Sequence, residues 1–272
     1  MRGKGVLFFA QLAFTLLVSA FLIVPVILSM LAGLTVNYLV GVKSGLTLRW
    51  VAEVWGGYRD TIFRSILIAL ACLLCTLVLG VPAAYVLARC RAGLARVIEE
   101  LLVMPVAVPG LATALALIVT YGAYGGFRTS LLFILVGHVL FTLPFMVRSV
   151  LAVLLAIDLR TLEEGAASLG ASFRQRFLHV VLPNCRGGVL AGSLMVVTLS
   201  VGEFNMTWLL HTPFTKTLPV GLADAYASLR LEIASAYTLL FFVMIVPLLI
   251  ALQRLSRRRP APLRHTLPAQ EE

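Results

Sequence analysis

Charge is scarce in this sequence: only 12% of its 272 residues are Asp, Glu, Lys or Arg, against roughly 25% in an ordinary globular domain. Apolar residues instead make up 60%, well above the roughly 45–50% of soluble chains. So little charge cannot solvate the surface of a globular enzyme of this length, and the composition places the chain in a bilayer. Acids are scarcer than bases, 12 against 22. In a membrane chain that excess is first explained by the loops kept on the cytoplasmic side, so nucleic acid is not an expected partner. Cysteine is rare as well, with 4 in all. Cys72 and Cys75 stand one helical turn apart inside an apolar run, where small side chains serve packing, and neither a disulfide nor a metal site is expected.

Catalytic signatures are missing too. A P-loop needs G-x4-G-K-[ST], because glycine amides cradle phosphate while the lysine neutralises it. The nearest string, Gly41-Val-Lys43-Ser44, lacks the glycine before the lysine. There is no nucleophile and base set and no cluster of metal-ligating residues, so neither an integral-membrane enzyme nor a cofactor is expected. His138, alone in an apolar span, reads as a satisfied packing residue.

What is present is a series of long apolar runs. A hydrocarbon core about 30 Å thick needs roughly 20 apolar residues as a helix. Five runs qualify, near Val6–Leu34, Ser65–Ala88, Leu101–Tyr121, Ser130–Val147 and Ile233–Leu252. A sixth, Gly187–Leu210, is interrupted by Glu203 and Asn205 after 16 uncharged residues, so its outer end is expected to be irregular or to face protein. The first run is nearly twice as long as a signal-peptide core of about 7–15 residues and reads as a retained anchor. Six spans put both termini on one side, where 15 of the 22 Lys and Arg then collect, including Arg89, Arg91, Arg96, Arg174, Arg176 and the Arg257, Arg258, Arg259 cluster. That side is the expected cytoplasmic one. Pro105 and Pro109, followed by Gly110, lie four apart in one run, and each removes a backbone hydrogen bond near the other. They read either as prolines of the kind common in membrane helices or as the kink of a pore-lining helix.

The longest internal loop on that side contains EEGAASLGASFRQRFLHVVLP, residues 163–183. Thr161 with Glu164, and Ser172 with Gln175, fit two capping boxes, and Gly170 stands where a first helix would end. Two short helices are therefore expected. In the second, Phe173, Phe177, Val180 and Val181 form one apolar face, expected to lie on the protein's own spans, with Arg174, Gln175, Arg176 and His179 turned away. Gly165, Ala166, Ala167, Ser168, Gly170 and Ala171 leave the first helix almost bare, so that another backbone can approach closely. An amphipathic helix lying on the membrane surface has a similar composition.

The spacing Glu164-Gly165-Ala166-x3-Gly170-x9-Val180-x-Leu182-Pro183 resembles the EAA motif, E-A-A-x3-G-x9-I-x-L-P, of permease subunits in type I ABC importers, the binding-protein-dependent inner-membrane transporters. It departs twice, with Gly165 for alanine and Val180 for isoleucine, and both changes keep size or apolarity. The resemblance implies an all-α polytopic fold with six transmembrane helices over nearly the whole chain. Residues 1–60 would be an N-terminal anchor helix and periplasmic loop, 61–256 the permease core and 257–272 a cytoplasmic tail. It implies a multi-pass protein of the bacterial inner membrane with both termini in the cytoplasm, surrounded by membrane lipid. Implied partners are two cytoplasmic ABC ATPase subunits, which hydrolyse the ATP, a second permease subunit, and a periplasmic or lipid-anchored solute-binding protein. In this family the loop docks into a cleft on the ATPase. Glu164, Gly165, Ala166, Gly170, Leu182 and Pro183 carry over as coupling residues, Glu164 as the charge at that contact and Gly170 as the turn. The overall look is similar to the polyamine, ferric-ion and phosphonate branch.

The second polar anomaly is SVGEFNMTWLLHTPFTKTLPVGLADAY, residues 200–226. Sixteen residues of helix from Gly187 reach roughly 24 Å, which brings Glu203 and Asn205 into the outer half of the bilayer. An ionisable group there faces a cavity or a partner, or else sits at a helix end in the interface. Related permeases use this segment for the outer gate, so Glu203 and Asn205 are assigned to the translocation path, with Thr215, Lys216 and Thr217 as an external turn. The rival class, a stand-alone secondary transporter or channel, needs its own coupling-ion site, and Glu203 stands almost alone among ionisable groups in the spans.

Overall fold

A computed structural model describes residues 2–90 and 92–257. Arg91, Arg258, Arg259 and the tail expected from there to residue 272 lie outside the described residues. Among the described residues the regular structure is helical, apart from one isolated β-bridge between Thr35 and Leu46. In chain order the helices are α1 (Arg2–Ala32), α2 (Arg49–Arg89), α3 (Ala92–Ala107), α4 (Gly110–Tyr121), α5 (Gly125–Arg128) and α6 (Leu131–Leu155). They continue with α7 (Leu159–Ser168), α8 (Phe173–Arg176), α9 (Leu182–Gly202), α10 (Asn205–Leu210), α11 (Leu218–Ala227) and α12 (Leu231–Arg257). Five of these stretches are long and apolar enough to cross a membrane, and six if the bent pair α3 and α4 is one span.

Three expectations change. The second span does not begin at Ser65: α2 starts at Arg49 and runs for 41 residues, roughly 60 Å at 1.5 Å per residue. Its first turns hold together by tertiary contact. Val54 and Ile62 are buried with Leu218, Ala225, Ile233 and Tyr237, a partnership that hydropathy along one segment does not register. The third run is not one kinked helix but two helices meeting at 97°. Pro109, in extended backbone at ψ 135°, stands at the break, because a proline pushes the residue before it out of the helical region and donates no N–H. The loop's second helix is not separate either. Phe173 to Gly202 is continuous, passing through a π-helical turn at Phe177–Val181 just before Pro183. That wider turn accommodates the N–H that Pro183 lacks.

The central packing is α6 between α2 and α9. Glycine makes it close, as small residues do where lipid offers no hydrophobic push between helices. A Cβ on Gly188 would stand 2.4 Å from the Ser149 carbonyl oxygen, and one on Gly192 would stand 2.7 Å from Met146 Sδ. From the other side Gly80 admits Met146 Cγ in the same way, at 2.8 Å. The end of α1 crosses α12 where Gly33 meets the Ser235 and Ala236 backbone, while Phe14 and Phe21 on α1 stay 69% and 76% exposed.

Candidate functional site

α7 and the turn after it lie at the end of the bundle where α2 finishes. The N-cap of α7 is Asp158, not Thr161: Asp158 accepts from Thr161 N at 3.2 Å and from Thr161 Oγ1 at 2.6 Å. The hydroxyl, then the amide, hold its carboxyl below the usual carboxylate range. A Schellman turn ends the helix, with Ala171 N bonded to Ala166 O at 3.1 Å and Gly170 N to Ala167 O at 2.9 Å. Gly170 has φ +80°, the left-handed region that glycine enters without penalty. Ser172 and Gln175 form the expected capping box, with both reciprocal bonds present.

The two adjacent acids do different work. Glu164 points outward, its side chain 64% exposed and paired with Arg160 at 2.7 Å. Glu163 points inward and is 3% exposed. It accepts from Tyr85 Oη at 2.7 Å, and Arg89 Nη1 donates to the same Tyr85 oxygen at 2.6 Å. Arg89 Nε also lies 3.7 Å from the Glu163 carboxylate. Phe177 packs edge-on against the Tyr85 ring at 5.3 Å. The loop is thus latched to the end of α2 by groups that no local motif announced. A cleft of about 440 Å³ lies between the two elements, lined by Arg89, Arg160, Glu163 and Glu164 among others.

Outside the latch the loop is bare. Gly165 and Gly170 have nothing within 4 Å of an added Cβ, Ala166 is half-buried, and Leu169 at the tip is 90% exposed. Leu182 packs on the core cluster around Val181 and Cys185, while Pro183 is exposed in the first turn of α9. Of the expected apolar face, Val181 is buried and Phe177 and Val180 partly so, but Phe173 is 56% exposed.

The chain matches the family described as "Binding-protein-dependent transport system inner membrane component" over residues 80–259, about two thirds of its length. It belongs to that family. This permease is 25% identical over 241 residues to PhnV of Salmonella typhimurium strain LT2, a protein named for a 2-aminoethylphosphonate transport system, covering 88% of this chain and 90% of that one. It is 28% identical over 218 residues to the putrescine transport system permease protein PotI of Escherichia coli K12, covering 77% of each. Its fold is similar to a chain in the crystal structure of a bacterial ABC transporter involved in the import of the acidic polysaccharide alginate. There the TM-score is 0.69 at 17% identity, over 93% of this permease and 95% of that chain. The permease is therefore the membrane-spanning transport component of a binding-protein-dependent importer.

Toward the other end of the permease the second anomaly resolves into a clamped helix. Glu203 leaves α9 in extended backbone and turns its carboxylate onto the start of α10. One oxygen accepts from Met206 N at 2.7 Å, the other from Thr207 N at 2.9 Å and Thr207 Oγ1 at 2.5 Å. A negative group at the N-terminus suits the helix dipole. Arg128 holds the other end, donating to Leu210 O at 2.7 Å and Leu209 O at 3.2 Å. His138 is bonded on both ring nitrogens, to Ser200 Oγ at 2.8 Å and Thr207 Oγ1 at 2.9 Å. Asn205, beside this network, is exposed. Gly110 brings the α3 and α4 break against the same place, with Asn205 Cβ 3.4 Å from where its own Cβ would be.

Proposed function

We propose that this permease forms half of a translocation pore in the bacterial inner membrane, pairs with a second permease subunit, and is driven by two cytoplasmic ATPase subunits. A periplasmic or lipid-anchored binding protein delivers a small solute of the phosphonate, polyamine or ferric-ion class. The end bearing α7 faces the cytoplasm, both termini lie on that side, and the 163–183 loop docks in a cleft on the ATPase. Glu164, Gly165, Ala166, Gly170, Leu182 and Pro183 make the coupling surface and its root in α9, with Glu164 meeting the ATPase. Glu203 and Asn205 belong to the translocation path, Asn205 by facing it and Glu203 by fixing the break from behind.

The observation that carries this reading is the contrast between the two faces of α7. Glu163 ties one face to α2, and Gly165 leaves the other open. A rigid lever with a bare outer surface transmits motion from a docked partner into the spans. The Gly165→Leu substitution tests it. A Cβ there meets nothing within 4 Å among the described residues, so the fold and the amount of protein in the membrane should stay as they are, while ATP-driven uptake in proteoliposomes is expected to fall to background. Uptake at the unsubstituted level would remove the docking assignment. A stand-alone secondary transporter, by contrast, would take up solute with the ATPase subunits left out.

A further inference from the structure

At the end of the bundle opposite α7, a cleft of about 410 Å³ opens between the first half of α2, α11 and the start of α12. Its wall carries charge of both signs. Lys216 and Asp224 form an ion pair, each side chain 34% exposed. Arg230 donates through Nη1 to Tyr58 Oη at 2.9 Å and through Nη2 to Glu53 at 2.5 Å. A guanidinium has five N–H groups, so these bonds leave Arg230 with donors to spare.

Tyr237 lines the buried part of the same cleft and is 1% exposed. Its hydroxyl is buried and makes no hydrogen bond. Thr61 also lines the cleft, and its hydroxyl donates to the Tyr58 carbonyl at 2.8 Å. Gly221 is what leaves the hydroxyl room, since a Cβ there would stand 3.0 Å from Tyr237 Oη. Buried tyrosine hydroxyls ordinarily find a partner, because leaving one unpaired is costly. The spare donors here are one buried hydroxyl and two cations, a set that an acceptor with negative charge completes.

We infer that this cleft binds a small solute through an oxyanion group: a carboxylate, sulfate, phosphate or phosphonate. The oxyanion takes the place of Asp224 on Lys216, draws on the spare Arg230 donors, and accepts from Tyr237 Oη. A solute carrying only ammonium groups offers Tyr237 no acceptor and cannot use the spare N–H donors of Lys216 and Arg230. The inference rests on the importer reading only in linking this site to the transported solute; binding itself does not require the ATPase or the binding protein.

The experiment is equilibrium binding to the full chain in lipid nanodiscs, without either partner, using radiolabelled inorganic phosphate, sulfate, 2-aminoethylphosphonate and putrescine. At least one of the three acid-bearing probes should bind saturably and putrescine should not. Tyr237→Phe should weaken that binding by roughly 3- to 10-fold, and Lys216→Gln by about tenfold or more. Without probe, Tyr237→Phe should melt at the same temperature or higher, because it removes an unpaired buried hydroxyl. Three results would each overturn the site: no saturable anion binding, putrescine binding equal to the anions, or unchanged affinity in Tyr237→Phe. If Gly165→Leu abolishes uptake while no anion binds here, the importer reading stands and this site falls.

Discussion

The latch between Glu163 and Tyr85 makes a quantitative demand on stability. Among the described residues the Glu163 carboxylate takes its hydrogen bond from Tyr85 Oη at 2.7 Å, and Arg89 at 3.7 Å is a half-exposed cation behind it. Hydrogen bonds to charged groups contribute about 1.5–3 kcal/mol, and Tyr85→Phe also strands the acceptor. That loss corresponds to a drop in Tm on the order of 5 °C for a protein of this size. Glu163→Gln keeps an oxygen in place and should cost about 1 kcal/mol. Once Tyr85 is Phe, the charge on Glu163 has lost its donor, so the double variant should be little worse than Tyr85→Phe alone. A double-mutant cycle by thermal melting in detergent should therefore give a coupling energy of about 1 kcal/mol or more. Additive losses would refute the latch as an energetic unit, and ATPase-driven uptake unaffected by Tyr85→Phe would refute its part in coupling.

Gly188→Ala places a methyl 2.4 Å from the Ser149 carbonyl oxygen, so α6 and α9 must separate, at about 1–3 kcal/mol; the same melting assay should show a clear loss, and an unchanged Tm would contradict the close crossing. Orientation is tested by impermeant thiol labelling in a Cys90→Ser background: Lys216→Cys should label from outside intact cells and Gln175→Cys only after the membrane is opened, and the reverse pattern would overturn the docking proposal. Glu203→Gln keeps size but turns one of two acceptor oxygens into a donor facing the Thr207 or Met206 donors, a cost of about 1–3 kcal/mol. Uptake and binding-protein-stimulated ATP hydrolysis should both fall while the complex with the ATPase still assembles; if both rates hold, Glu203 does not shape the path.

What could be read from the sequence was mostly what is decided within a few residues. Gly170 at φ +80° and the Ser172 box follow from turn and cap chemistry alone. The phase of α7 does not. A cap at Thr161 puts Glu164 in the third helical position and leaves Leu159 outside the helix; the actual cap, three residues earlier at Asp158, brings Leu159 into it, one turn before Glu163, and these two are the buried residues of the helix. That i, i+4 pairing was the available signal, but the deciding partner, Tyr85, lies 78 residues away. The same holds for α2, whose first turns are fixed by Leu218, Ala225 and Tyr237. Pro109 announced a disturbance, but a 97° turn also needs something for the broken ends to pack on.

That something is α10. A membrane interior tolerates broken helices only where freed backbone groups find protein partners. Glu203 and Arg128 supply them at the two ends of a helix only six residues long, too short to be stable unaided. Gly137 lets Met206 and Leu210 sink against α6, with Met206 Sδ 2.4 Å from where a Cβ would stand. Gly110 then lets the α3 and α4 break approach the clamped helix. The two interruptions support one another, and Glu203 serves this arrangement as an acceptor facing inward. Asn205 is exposed where the broken spans meet, a neutral amide able both to donate and to accept, so in the proposed path it would screen a passing solute by hydrogen bonding more than by charge.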